Sequence, residues 1–270
     1  TVFTKFNNPE KNLSNHYEGK VLGEIWGYRV DGLFASDEEA AEYTSKINQD
    51  AVNERILTDK VDPYYRAGDL KFRDLDGDNV ISKGDDTAYD AGDREIIGNE
   101  TPRYMYSFRL GADWNGFDLG IFFQGVGKRD WYPNYLSTGF WGPYSRAFTS
   151  FIPENFMDQC WSEENRDGYF PRFRGYQTFA GSQLGVNNDR YLQDASYIRL
   201  KNLTVGYTLP VLKKVFTKLR VYFTGENLWY WSPMLKHTKY IDPEAAGGNG
   251  NTGMAYNYSR NFSVGVDITF

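Results

Sequence analysis

The chain has 270 residues, a formal net charge of −6, 17% aromatic residues and a single cysteine. Mild acidity without a basic stripe excludes a nucleic-acid partner, and the lone Cys160 excludes an internal disulfide. No stretch approaches the roughly 18 apolar residues that a membrane helix requires, so any bilayer contact must be made by strands, which the wealth of Tyr, Phe and Trp favours.

Thr1-Val2-Phe3 lacks the basic and apolar regions of a signal peptide; for an outer-membrane protein either that signal has been removed or the chain is the rear part of a longer one, and the second is expected. Residues 1–18 are polar and loop-like. Gly19–Val30 carries strand signals at Val21, Ile25, Trp26, Tyr28 and Val30. Ser36, with Glu39 three residues on, predicts a capped helix running to about Asn48. Tyr64–Arg73 predicts a short strand leading into an acidic loop. Tyr104, Tyr106, Phe108, Leu110, Ala112 and Trp114 then alternate with small or polar residues. Asn115-Gly116 follows, the strongest short hairpin signal. The return strand puts Phe117, Leu119, Ile121 and Phe123 on one face, with Phe122 an inward exception, and ends at Trp131 and Tyr132.

Residues 133–190 form a long connection rich in aromatic residues, Pro, Gly and Asn. In Tyr197–Leu209, Ile198 and Leu200 are out of phase with Leu203, Val205, Tyr207 and Leu209, which predicts a bulge near Lys201–Asn202. Pro210–Lys218 is a short turn. Leu219, Val221 and Phe223 open a strand that ends in Trp229-Tyr230-Trp231. Ser232–Ser259 is a second long loop, with Gly247–Gly250 as its tip. The final strand, Arg260–Phe270, alternates without a break: Phe262, Val264, Val266, Ile268 and Phe270 share one face.

The apolar faces hold no charged residue, the side taken by Lys201 being open. The opposite faces hold Arg109, Asp113, Asp118, Arg220, Glu226 and Asp267. A wet inside and an apolar outside predict an all-β fold: an antiparallel transmembrane β-barrel wall with one short helix. Connections alternate long (31–102), short (115–116), long (133–190), short (210–218) and long (232–259). That is the asymmetry of outer-membrane barrels, whose long loops are extracellular. Trp114, Trp131, Tyr132, Trp229, Trp231 and Phe270 fall at strand ends, where aromatic girdles form. Six such strands are too few to close the wall, so a larger barrel is expected. The competing reading is a β-sandwich whose apolar faces pack together.

Asp74, Asp76, Asp78 and Asp85 occupy positions 1, 3, 5 and 12 of a calcium-type loop, with the Val80 carbonyl at position 7 and Ser82 at position 9. Asn79 replaces the usual glycine at position 6, and asparagine tolerates the left-handed turn needed there. The expected ion is a structural Ca²⁺. Trp131, Tyr132, Tyr135, Phe140, Trp141 and Tyr144 are candidates for contact with a sugar, a peptide or a protein lid. His16 and His237 are far apart in loops, Cys160 has no activating neighbours, and no carboxylate pair suited to catalysis emerges. The chain is not read as an enzyme, and no organic cofactor is expected.

Glu24–Phe34, Ala67–Asp78, Ile96–Pro102, Phe117–Gly125, Ser196–Leu203 and Thr224–Leu228 follow in the order found in SusC/RagA-like transporters, and this resemblance covers nearly the whole chain. It implies the C-terminal part of a TonB-dependent importer of the Bacteroidota outer membrane: a 22-stranded barrel with an N-terminal plug, the plug lying outside these residues. It also implies a SusD-like surface lipoprotein and the TonB complex as partners, and an oligosaccharide or peptide as cargo. By the same resemblance Val264, Val266, Ile268 and Phe270 form the signal read by the barrel-assembly machinery. A passive porin-like barrel and a secreted calcium-binding, carbohydrate-binding sandwich are the alternatives.

Overall fold

The computed structural model describes residues 1–150, 152–210, 217–246 and 257–270. The Gly247–Gly250 tip and most of the turn at 210–218 lie outside the described residues. Along the chain come β1 (Glu24–Tyr28), β2 (Val30–Leu33), α1 (Asp37–Thr44), α2 (Glu54–Leu57), β3 (Leu70–Phe72), β4 (Arg94–Asn99), β5 (Met105–Trp114) and β6 (Phe117–Val126). Then follow β7 (Asp130–Trp131), α3 (Thr138–Trp141), β8 (Cys160–Trp161), β9 (Phe170–Arg172), β10 (Gln193–Asp194), β11 (Tyr197–Leu209), β12 (Lys218–Trp231) and β13 (Asn261–Thr269). Two units result. One comprises Thr1–Thr101 and Asp130–Gln193; the other comprises Pro102–Arg129, Asp194–Ala246 and the C-terminal strand.

The second unit is a five-stranded antiparallel sheet in the order β13-β12-β11-β6-β5. It is open, with β5 and β13 at its edges. The β5–β6 hairpin turns at Asn115 (φ +48°) and Gly116 (φ +88°), both in the left-handed region that a two-residue turn needs. A Cβ on Gly116 would also come within 2.9 Å of the Thr208 carbonyl oxygen.

Strand register carries the apolar residues into continuous rows. Trp114, Phe117, Tyr207, Val221 and Val266 form one; Ala112, Leu119, Val205, Phe223 and Val264 form the next. The expected bulge is present, between Leu200 and Asn202. It sets Leu200 beside Phe123 and Trp229, in phase with Leu203 beside Ile121. Lys201 turns to the polar side, where its Nζ lies 2.8 Å from both carboxylate oxygens of Glu244.

Nothing among the described residues covers the apolar rows: Val264 is 77% and Ile268 47% exposed. No second layer among the described residues packs on them, whereas the sandwich reading requires one. Trp114, Trp229, Trp231 and Phe270 stand exposed at strand ends.

On the polar face Arg220 spans three strands. Its Nε and Nη2 lie 2.8 and 2.6 Å from the Asp118 carboxylate, and its Nη1 lies 2.9 Å from Asp267. The guanidinium crosses β11 at Gly206, where a Cβ would stand 2.4 Å from Asp118 Oδ1 and 2.6 Å from Arg220 Nε. The inward Phe122 ring sits under the Arg109 guanidinium at 5.5 Å.

The long connections at 31–102 and 133–190 carry structure of their own and belong to the first unit. β1 pairs with β4, and β2 with β3, so Gly19–Val30 supplies no strand to the five-stranded sheet. Ile25 and Tyr28 are buried locally, the Tyr28 ring edge-on to Phe72 at 5.8 Å. Helix α1 is capped as expected: Ser36 Oγ accepts from the Glu39 N–H at 3.2 Å. It ends at Thr44, short of Asn48, and two single-turn helices, α2 and α3, join it.

Of Tyr64–Arg73 only Leu70–Phe72 is strand. Its second edge is satisfied by side chains: Gln183 Oε1 accepts from the Leu70 N–H at 2.8 Å, and Gln49 bonds the Leu70 carbonyl and the Phe72 N–H at 3.2 and 3.3 Å. Asp69, fully buried, pairs with Arg174 at 3.1 Å. A buried carboxylate is tolerable only with such a partner.

Candidate functional site

The acidic turn follows β3. Asp74 accepts from the Gly77 and Asn79 N–H groups at 2.7 and 2.9 Å, Asp76 from Asp78 at 3.1 Å, and Asp78 from Val80 at 2.7 Å. Gly77 (φ +81°) and Asn79 (φ +67°) take the left-handed backbone that lets these bonds form. The result gathers one oxygen from each of Asp74, Asp76 and Asp78 within 4.8 Å of one another. Two oxygens that each lie about 2.4 Å from a shared Ca²⁺ can be at most about 4.8 Å apart, and the three carboxylates meet that pairwise limit.

Ser82 Oγ accepts from the Gly84 N–H at 3.1 Å. Asp85 is exposed and stands outside the carboxylate group. The chain doubles back at Gly84 and Gly92, so closely that a Cβ on Gly92 would lie 2.5 Å from the Gly84 nitrogen; residues 85–91 are thereby carried outward. Asp93, which the twelve-residue spacing did not single out, closes the turn. It is fully buried and accepts from the Leu75 and Ser82 N–H groups, both at 2.7 Å. Burial pushes its carboxyl above the ordinary value, the two backbone bonds oppose the shift, and the charges of Asp76 and Asp74 add to it.

The six aromatic candidates divide sharply. Trp131, Phe140, Trp141 and Tyr144 are buried, and they form the core of the first unit with Phe170 and Tyr191. Trp141 packs on Phe140 at 4.7 Å and on Tyr191 at 5.3 Å between centroids, and its Nε1–H donates to the Asn134 carbonyl at 3.0 Å. Tyr144 donates its hydroxyl to the Pro171 carbonyl at 2.5 Å, and burial raises its pKa well above the ordinary phenol value. Tyr132 is half-buried, its hydroxyl bonded to the Val186 carbonyl at 2.9 Å. The expectation that these rings present a binding surface, and that Trp131 and Tyr132 sit in an interfacial girdle, is corrected by this burial. Tyr135 alone of the six keeps a largely exposed ring, at 45%.

The remaining candidates, Val264, Val266, Ile268 and Phe270, all stand exposed on or beside β13. Their row continues across β12, where Val264 faces Phe223 and Val266 faces Val221.

No family model matches the chain. Two TonB-dependent receptors of Formosa agariphila, designated P3 and P26, are 30% and 28% identical to it over 269 and 216 residues, covering 94% and 75% of the chain. The chain belongs to the TonB-dependent receptors. It spans 22% and 20% of the length of those two receptors, so a receptor of this family is several times longer than these 270 residues. Solved structures of the RagAB peptide transporter and of the RagAB peptide importer in its "closed-closed" state superpose with TM-scores of 0.56 and 0.55, at 22% identity. They cover 94% and 99% of the chain, which in turn covers 24% and 25% of the solved chains. The mostly-β architecture is thus that of part of a TonB-dependent transporter. Membership of a receptor family agrees with the expectation that the chain is not an enzyme.

Proposed function

We propose that the five-stranded sheet is part of the wall of a 22-stranded, plugged outer-membrane barrel that imports a peptide or oligosaccharide at the expense of TonB-transmitted energy. The observation that carries this is the uncovered apolar face backed by a charged one. In water, contiguous exposed rows such as Trp114–Val266 would be an aggregation surface; against hydrocarbon they are at home. The polar face then lines the lumen. The connections 31–102, 133–190 and 232–259 are taken as extracellular by the barrel's short-turn, long-loop asymmetry, and the plug and TonB-contacting segment as lying outside the 270 residues. The solved RagAB relatives carry peptide in their names, which favours peptide as cargo and a SusD-like lipoprotein as partner. The exposed Tyr135 ring is the aromatic candidate left for contact with either. The C-terminal residues Val264–Phe270 serve as the assembly signal.

Energised and passive transport are separable. Cells carrying the full receptor should take up labelled peptide or oligosaccharide, and collapse of the proton-motive force should abolish uptake. Uptake that survives the collapse would make the protein a porin-like barrel.

Asp74, Asp76 and Asp78 are proposed to hold one structural Ca²⁺, with Asp93 bracing the turn from within. Calcium should slow proteolysis at 74–93, and Asp78→Ala should remove the protection. Equal protection in chelator would remove the ion from the account.

A further inference from the structure

The loop after β12 does not stand clear of the sheet. Its first leg, residues 240–246, returns over the polar face where β11 begins. Arg199, on that face of β11, is 1% exposed. Its Nη2 bonds Asp242, and its Nε lies 3.0 Å from Glu244 Oε2. Lys201 holds the same Glu244 at 2.8 Å. Arg129, at the end of β6, donates to the carbonyls of Pro243 (3.4 Å) and Ala246. The second leg reaches the same place. Asn257 accepts from the Asp242 N–H at 3.2 Å and donates to the Tyr240 carbonyl at 3.1 Å. The Tyr258 ring lies 5.2 Å from the Arg199 guanidinium and 4.6 Å from the Lys201 ammonium.

We infer that Arg199 is a positioning residue: a latch that fixes residues 240–246, and with them Asn257 and Tyr258, over the polar face of the sheet. The physical reason lies in the kind of contact. A leg held by apolar packing loses that packing outright on lifting. A leg held by paired charges exchanges its partners for water, and desolvation offsets much of the Coulomb gain in the closed state. Such a contact is well defined when shut, yet near enough to balance to open. Removing one partner breaks the balance, because the other carboxylates and cations are left buried without compensation. With the polar face lining a lumen, the latch sets how far residues 240–246 stand in the pore. That consequence rests on the function proposed above; the latch itself does not.

The test is the accessibility of Ala246, 1% exposed in the latched loop. In the full receptor purified in detergent, an Ala246→Cys reporter is labelled with a bulky maleimide after Cys160→Ala and removal of other reactive cysteines. The reporter should be protected in the otherwise unaltered receptor. Arg199→Gln should raise the labelling rate about tenfold or more, as expected when a local opening becomes cheap. Arg220→Gln, which breaks the ion pairs on another part of the sheet, should leave the rate unchanged. Equal rates with and without Arg199→Gln, or an equal rise from Arg220→Gln, would overturn the proposal. If Arg199→Gln does not fold, Glu244→Gln and Lys201→Met should both raise the rate, and neither doing so has the same force. The labelling rates do not depend on transport, so a receptor that proves passive would leave the latch standing.

Discussion

Consider arginine placed at Val205 or, one residue earlier, at Thr204. The apolar face of β11 runs from Ile198 to Leu209. With a rise of about 3.3 Å per residue and a tilt of about 40°, Val205 lies about 10 Å from the level of Leu209 and about 15 Å from that of Ile198. It is therefore near the middle of an apolar band roughly 25 Å tall. Arginine there should cost about 2–4 kcal/mol, or about 30- to 700-fold in the folding equilibrium. In water, arginine at so exposed a valine (41%) would change stability by no more than about 0.5 kcal/mol. Thr204 faces the opposite side, its hydroxyl 3.3 Å from that of Thr224. The same hydroxyl donates to Asn202 Oδ1 at 3.2 Å, so Thr204→Arg should cost about 1–2 kcal/mol, the loss of both bonds. Guanidinium unfolding of the full receptor in lipid vesicles measures both. Equal costs at 204 and 205, or a cost at 205 below about 0.5 kcal/mol, would refute hydrocarbon as the neighbour of this face.

Three further outcomes follow from particular contacts. Gly206→Ala should destabilise the parent by about 1 kcal/mol or more, because its Cβ would meet both Asp118 Oδ1 and the Arg220 guanidinium and push their ion pair apart. In an Arg220→Gln background, where that pair no longer holds Asp118 in place and its side chain can turn aside, the cost should shrink toward zero; a cycle without coupling would contradict this. Trp141→Ala should cost the first unit about 3–5 kcal/mol, as truncation of a buried aromatic core residue does, and unchanged protease resistance would deny it that place. Burial pushes the pKa values of Tyr28 and Tyr169 up to about 12, against about 10 in an unfolded chain. The folded state therefore holds these protons more tightly. The associated stability is whole below about pH 10 and is lost as pH rises to about 12, up to about 3 kcal/mol for Tyr28. Phenolate absorbance that rises fully near pH 10 in the folded protein would contradict it.

What was legible in the sequence was local. Asn115-Gly116 specifies its turn through backbone preference alone, and Ser36 with Glu39 specifies a helix start. The bulge at Lys201 is readable because one extra residue reverses every later side chain, so the slip between Leu200 and Leu203 shows in the pattern itself. The first unit was not legible in this way. Its strands are short and are partnered across great sequence distances, Gln183 serving Leu70 and Arg174 serving Asp69. An aromatic residue destined for a core, such as Trp131 or Tyr144, has the same composition signal as one at a membrane interface. Asp93 escaped for a related reason. It reaches the acidic turn only because the glycines at 84 and 92 fold the intervening residues away, a geometry that spacing along the chain does not encode.

The most direct measurement places a nitroxide at each position from Leu219 to Thr224 in the full receptor in a bilayer. Relaxation by oxygen, which partitions into lipid, is compared with relaxation by a water-soluble nickel complex. Positions 219, 221 and 223 should respond chiefly to oxygen and positions 220, 222 and 224 to nickel, in strict alternation. Uniform response along the strand, or the opposite phase, would contradict lipid outside this wall and water within it.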